Sequence, residues 1–168
     1  MVSEITMPSA VSRPQYDIEA RVTGHAWVRR TLGHLPTAHI AGVQGYFINV
    51  FYEGGIVYWM PRFDLEAFLK YVEALEITFF FTVPPIYMAI AKHPLVKNQF
   101  RHMRQAVSGA APLSGELQKA ANAKLPASTE ISQVWGLSET TGAATYFPTG
   151  WPVTPGSLGI PLPNCKIR

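Results

Sequence analysis

The run ITFFFTV, Ile77 to Val83, followed at once by Pro84-Pro85, constrains this chain most. Its apolar residues are consecutive, not alternate, so a strand made from it has to be covered on both faces. That is the condition of a strand in a parallel sheet with helices above and below. Proline is tolerated in the first turn of a helix, so PPIYMAIAKH reads as the helix that follows. The apolar stretch from Ile77 to Ala91 is too short to span a bilayer, and the two prolines cut it.

The same alternation recurs along the chain. LGHLPTAH reads as a short extended piece. AGVQGYFINVFYEGG carries apolar residues at helical spacing and stops at Gly54-Gly55. IVYWM is rich in strand formers. In FDLEAFLKYVEALE, Asp64 caps a helix that gathers Phe68, Leu69, Val72 and Leu75 on one face. MRQAVSG reads as a strand and PLSGELQKAANAKL as a helix capped by Ser114. TEISQVWG is a further strand, running to Trp135-Gly136. Strand and helix thus alternate about four times over short connections. The expectation is an α/β fold, a mostly parallel sheet with right-handed crossovers and helices on its faces. Residues 1–30, with Pro8, Pro14 and no clear period, read as an arm of uncertain pairing.

Composition removes several function classes. With 48% hydrophobic and 15% charged residues among 168, the chain can build a core and is not of the disordered type. The net charge of +3 comes from 14 basic and 11 acidic residues without a cluster, which argues against a nucleic-acid binder. Cys165 is the one cysteine, so neither an intrachain disulfide nor a cysteine zinc site can form, and a reducing compartment is expected. His25, His34, His93 and His102 lack metal-ligand spacing and are assigned no role. No secretory pattern opens the chain, and Lys166-Ile167-Arg168 is not a peroxisomal address.

In parallel α/β sheets ligands sit beyond the carboxyl ends of the strands. Three loops leave strand ends there: residues 37–42, 108–112 and 136–142. In AVSGAAP the small residues either make a tight turn or let a flat ligand lie on the backbone. In VWGLSETTG, Trp135 offers a flat face for stacking on a purine, and Ser138, Thr140 and Thr141 offer hydroxyls to phosphate. Glu139 suits Mg²⁺, which takes one or two carboxylates plus ligand phosphates. A core tryptophan and a solvated hydroxyl-rich turn would use the same residues. His39 stands at a strand end, as a structural hydrogen-bonder or as a positioner of a carboxylate. A serine-hydrolase elbow needs G-x-S-x-G, and neither Ser138 nor Ser108 has both glycines. The dinucleotide and P-loop signatures are missing too.

Together, LPTAHIAG, FTVPPIYMAIAKHP, VSGAAPLSGELQ, QVWGLSETTG and GSLGIPLPNCKIR resemble the adenylate-forming acyl-CoA ligases, in the family's order. The likeness is to the coumarate–CoA ligase-like branch of plants and fungi and runs over residues 31–168. It implies a two-step reaction. A small carboxylic acid attacks the α-phosphate of ATP to give an acyl-adenylate and pyrophosphate, and the thiol of coenzyme A then displaces AMP. ATP/AMP, Mg²⁺ and coenzyme A are the implied cofactors and co-substrates.

By resemblance, Gly109, Ala110, Ala111 and Pro112 match the adenine-side loop. Gln133, Val134, Trp135 and Gly136 match the strand end lining the adenine and acyl pockets. Ser138 stands for a threonine at the α-phosphate, and Glu139 matches the Mg²⁺ carboxylate. His39 matches the histidine beside the substrate carboxylate, and Ala41 and Gly45 fall in the acyl pocket. Ala41 is smaller than the tyrosine of hydroxycinnamate-using relatives, which tells against a phenolic acid. Arg62, in MPRF, sits where relatives carry a basic residue near coenzyme A.

The family's phosphate loop is only faintly matched by Thr23-Gly24. Its hinge and the small domain with the catalytic lysine are not among these residues. The expectation is therefore a central portion of a ligase, without a membrane span, intracellular (cytoplasmic or peroxisomal) and of secondary metabolism. The alternative is a non-catalytic remnant that binds adenine nucleotide or assembles with a partner chain.

Overall fold

The computed structural model describes residues 3–6, 28–53, 55–148 and 151–167, and of residues 3–6, Phe51 and Glu53 the backbone alone. Thr23-Gly24, His25, Gly54 and Arg168 lie outside the described residues. In chain order the elements are β1 (Ser3–Thr6), β2 (Arg30–Gly33), α1 (Ile40–Gly42), a π-helical segment (Val43–Ile48), α2 (Asn49–Glu53), β3 (Ile56–Trp59), α3 (Leu65–Ala74), β4 (Phe79–Thr82), α4 (Pro84–Lys92), β5 (Gln105–Ser108), α5 (Gly115–Asn122) and β6 (Ile131–Gln133). Four two-residue strands follow: β7 (Gly136–Leu137), β8 (Gly142–Ala143), β9 (Thr145–Tyr146) and β10 (Ile160–Pro161).

The expected parallel sheet is present in two parts. β2 pairs parallel with β3, and β1 adds to β3 antiparallel. β4 pairs parallel with β5, and β5 with β6. A seam between β2 and β4 replaces the single continuous ladder expected from the alternation. It is sewn at both ends. Below β4, Thr78 N donates to Arg30 O (3.0 Å), Arg30 N donates to Thr78 Oγ1 (2.9 Å), and Thr78 O accepts from Arg104 N (2.8 Å). At the upper end, His34 Nε2 lies 2.8 Å from Thr82 Oγ1, and His34 Nδ1 lies 2.7 Å from Leu32 O. A carbonyl can only accept, so Nδ1 carries the proton and Nε2 accepts from the threonine hydroxyl. Burial pushes the His34 pKa down to about 4.

The strand that is apolar on both faces serves two layers. Phe80 enters a core with Phe68, Tyr87 and Phe100, whose rings lie 5.5–6.4 Å apart at offset or edge-on angles. This core binds α3, α4 and α5 to one side of the sheet. Asp64 and Ser114 cap α3 and α5 as expected, accepting from Ala67 N and Leu117 N. On the other side, Tyr46 and Val50 pack with Val57 of β3, which seats the helical segment 40–53 there. Phe79 and Phe81 point to that second side, where they border a cavity.

The lowered His34 pKa fixes a pH dependence. The unfolded imidazole takes a proton near pH 6.5, whereas the buried ring stays neutral down to about pH 4. The contribution of His34 to stability is fully present above pH 6.5 and is lost as pH drops from 6.5 to 4. A shift of this size corresponds to about 3 kcal/mol. In urea titrations across that window, His34→Asn is expected to show a clearly shallower decline than the native chain.

Candidate functional site

The cavity, of about 350 Å³, lies between the helical segment 40–53 and the sheet. His39, Ala41 and Gly45 line it from the helix side, and Ala110, Val134 and Gly136 from the strand ends. Six residues singled out in the sequence, drawn from three stretches far apart in the chain, therefore meet around one space.

Each helix-side group is held for a local reason. His39 is the N-cap of α1, and its Nδ1 accepts from Ala41 N at 3.1 Å. The proton then sits on Nε2, which leaves an N–H donor at the helix start. Gly45 is buried, yet a Cβ built on it would meet nothing within 4 Å. The space beside it belongs to the cavity, so any side chain here would take up ligand volume. Residues 43–48 are π-helical, with Asn49 N donating to Gln44 O. A π turn is rare and is frequent at functional sites. Here it brings residues five apart, Gln44 and Asn49, to the same cavity wall.

On the strand side, Gly109 lies under the cavity floor without lining it. A Cβ there would stand 2.8 Å from the Phe81 ring and 3.1 Å from Val134 Cγ2. Ala110 adopts φ +69°, a left-handed conformation that costs a non-glycine residue about 1–2 kcal/mol. Ala111 and Pro112 are exposed. Gln133 is buried and faces inward. Its Oε1 accepts from Leu113 N (2.9 Å) and its Nε2 donates to Leu113 O (3.0 Å), so it pins the 109–113 loop to β6. Its part is to position that loop.

β6 ends at Gln133, two residues short of the expected strand end at Trp135-Gly136. The chain turns there because Trp135 switches partners. Its N–H donates to Thr145 Oγ1, and its carbonyl accepts from Ala144 N and Thr145 N. Gly136 opens the β7–β8 hairpin, and a Cβ on it would collide with the Gly142 carbonyl oxygen. The Trp135 side chain is 40% exposed, a flat face open to a ring. Ser138 and Glu139 are exposed at the hairpin tip and do not line the cavity. The Thr140 hydroxyl lies within 3.0 Å of Leu137 N, Leu137 O and Gly142 O, so the turn itself uses it. Arg62 is exposed in the β3–α3 loop, away from the cavity lining. Among the described residues no three His, Cys, Asp or Glu side chains stand together as a metal site. A divalent cation at Glu139 would accordingly need ligand oxygens as well.

Sequence reading missed Arg29, Gln44, Phe79, Phe81 and Tyr146, which also line the cavity. Gln44 Oε1 accepts from Ala143 N at 3.0 Å and so ties the helix to the hairpin. Arg29 is buried with its guanidinium 3.8 Å from the Phe79 ring centroid. The phenylalanines were visible in the sequence as the second face of ITFFFTV. A contact spanning 99 residues, like that of Gln44, leaves no local signal.

Comparison with known proteins gives a consistent result. The profile described as AMP-binding enzyme matches residues 8–168. A protein of Emericella nidulans, named provisionally as an acyl-coenzyme A synthetase, is 47% identical over 139 residues, 83% of this chain and 25% of its own. An acyl-CoA synthetase of Alternaria alternata is 37% identical, over 84% of this chain and 25% of its own. A 4-coumarate–CoA ligase of Oryza sativa subsp. japonica is 32% identical, over 80% of this chain and 24% of its own. The chain thus spans about a quarter of the length of the curated relatives it matches. Among solved structures, an ATP-bound RpMatB-BxBclM chimera superposes with TM-score 0.72 at 25% identity, over 80% of this chain and 26% of that one. The anthranilate CoA ligase AuaEII in complex with anthranoyl-AMP gives 0.70 at 20%, over 88% and 30%, a likeness of fold. Among the described residues no helix is long and apolar enough to cross a membrane.

Two substitutions probe the geometry. Ala110→Gly removes the left-handed strain and is expected to raise stability by up to about 1 kcal/mol in urea unfolding. Gly136→Ala forces the hairpin open and is expected to lower the melting temperature by several degrees, on the order of a 1–2 kcal/mol loss. An unchanged melt for Gly136→Ala would contradict the close approach of β7 and β8.

Proposed function

This chain belongs to the AMP-binding enzyme family, and from that membership we propose that it supplies the acid-binding and adenine-side walls of an AMP-forming acyl-CoA ligase site. The observation that carries the reading is the cavity mouth. His39, Ala110 and Gly136 meet there, on the segments that leave the carboxyl ends of β2, β5 and β6, where open α/β sheets bind ligands.

In this reading the acid lies in the cavity with its tail past Ala41 and Gly45. Its carboxylate reaches the mouth beside the Nε2–H of His39. The adenine rests over the 109–112 loop and the exposed Trp135 face. Such stacking suits any purine and demands little of the side chains around it. Ser138 offers its hydroxyl to the α-phosphate. Mg²⁺ held by Glu139 and phosphate oxygens would offset charge as the two anions approach each other. What the chain itself contributes is alignment: the carboxylate oxygen is brought to phosphorus between the helical segment and the strand ends. Arg62 is the residue proposed to meet coenzyme A. Work in secondary metabolism is the proposed setting.

Calorimetry with AMP, with a simple carboxylic acid, and with a non-hydrolysable acyl-sulfamoyl adenosine tests this. The joined ligand fills both walls at once and is expected to bind at least about tenfold tighter than AMP. Gly45→Val, which fills the acid side, is expected to erase that gain while leaving AMP affinity in place. Binding of the joined ligand no tighter than AMP would overturn the reading.

A further inference from the structure

The cavity has two unlike ends. At the mouth stand His39, Ala110 and Gly136. The helical segment then runs back along the sheet toward the amino ends of the strands. From His39 to Asn49 is ten residues, roughly 10–15 Å of helix. The sheet side runs the same way: Phe81 pairs with Val107 near the mouth, and Phe79 sits at the far end of β4.

The far end is polar. Arg29 is placed there by its carbonyl, which accepts from Ile56 N just beyond α2, and its guanidinium lies over Phe79. Asn49 and Tyr52, three apart on α2, line the same end. Neither the Asn49 side-chain amide nor the Tyr52 hydroxyl makes a hydrogen bond among the described residues. Between mouth and far end the lining is mostly apolar, with Ile40, Phe81, Val107 and Val134, and the Gln44 side chain there is held by Ala143 N through its Oε1. The volume of about 350 Å³ is near the lower limit for small-molecule sites.

A space with this distribution discriminates at its far end. An apolar tail alone satisfies the middle and leaves the Asn49 amide facing a group that cannot hydrogen-bond. Asn49 is half-buried and Tyr52 exposed, so an oxygen-ended tail makes hydrogen bonds there that a methyl-ended tail cannot, in exchange for those to water. We propose that the preferred acid is compact and of medium length, with a tail that ends in an oxygen acceptor, a hydroxyl or a carboxylate, read by Asn49 and Tyr52. This rests on the ligase reading above and adds the substrate class to it. Asn49 and Tyr52 are specificity residues here. They stand remote from the mouth and take no part in the reaction itself.

The test uses the whole chain and three acyl-sulfamoyl adenosines that differ only at the tail end: methyl, hydroxyl or carboxylate. Calorimetry is expected to rank either oxygen-ended tail about tenfold or more above the methyl-ended one, and the two oxygen arms separate the hydroxyl source from the carboxylate. Asn49→Leu is expected to reverse that ranking. Tyr52→Phe removes one hydroxyl from a residue that is 59% exposed, so it leaves folding intact, and it is expected to narrow the gap. Equal binding of all three tails, with each tighter than AMP, overturns this inference and spares the ligase reading. Binding of none of them overturns both.

Discussion

The seam between β2 and β4 is the constraint on which the rest of the molecule depends. No ladder joins these strands, so their relation hangs on Thr78 at one end and on His34 with Thr82 at the other. The helical segment 40–53 is seated on β3, on one side of the seam, by Tyr46 and Val50. Phe79, Phe81 and Val107 belong to the other side. The cavity is the space left where these two halves face each other. A buried, neutral histidine suits that junction. Its ring takes one proton from Thr82 and gives one to Leu32, with no charge to desolvate. Tyr46 reinforces the joint, its hydroxyl accepting from His34 N and Leu35 N, both at 3.2 Å.

A second tie works at the mouth. The β7–β8 hairpin is short and would be marginal alone. Gln44 holds it by Ala143 N, and Thr140 and Thr145 close its turn and its root. The residue that fastens the hairpin thus sits in the π-helical stretch that also carries Gly45 and leads into Asn49. A change in that stretch is felt both in the acid space and at the corner proposed for the nucleotide. This offers a physical reason for keeping an irregular helix where a regular one would be cheaper.

Much of this was legible in the sequence, and the reason differs from element to element. The double-faced ITFFFTV required a covered parallel sheet, and its odd and even phenylalanines do divide between core and cavity. Asp64, Ser114 and Pro84-Pro85 marked helix starts because capping is local chemistry. His39, Ala41, Gly45, Ala110, Val134 and Gly136 could be nominated together only through the order of five motif blocks. Singly, each had a plain structural explanation. Gln133, nominated by the same resemblance, is buried, and its amide bonds Leu113 N and O across the 109–113 loop. The seam, the π-helical stretch and the Gln44 tie had no signature, since each depends on side chains far apart in the chain. His34 was passed over for lack of metal-ligand spacing, although spacing bears only on metal binding and says nothing of a hydrogen-bonded joint.

The central claim is that an acid tail occupies the space between the helical segment and β4, on the face of the sheet opposite the phenylalanine core. Methyl-resolved NMR tests it directly. On addition of an acyl-sulfamoyl adenosine, and in comparison with AMP alone, the methyl signals of Ile40, Val107 and Val134 are expected to shift. Those of Ile90 and Val96, buried on the other face, are expected to stay in place. Shifts confined to the Ile90 and Val96 side, or tail-independent shifts at Ile40, Val107 and Val134, would contradict the account.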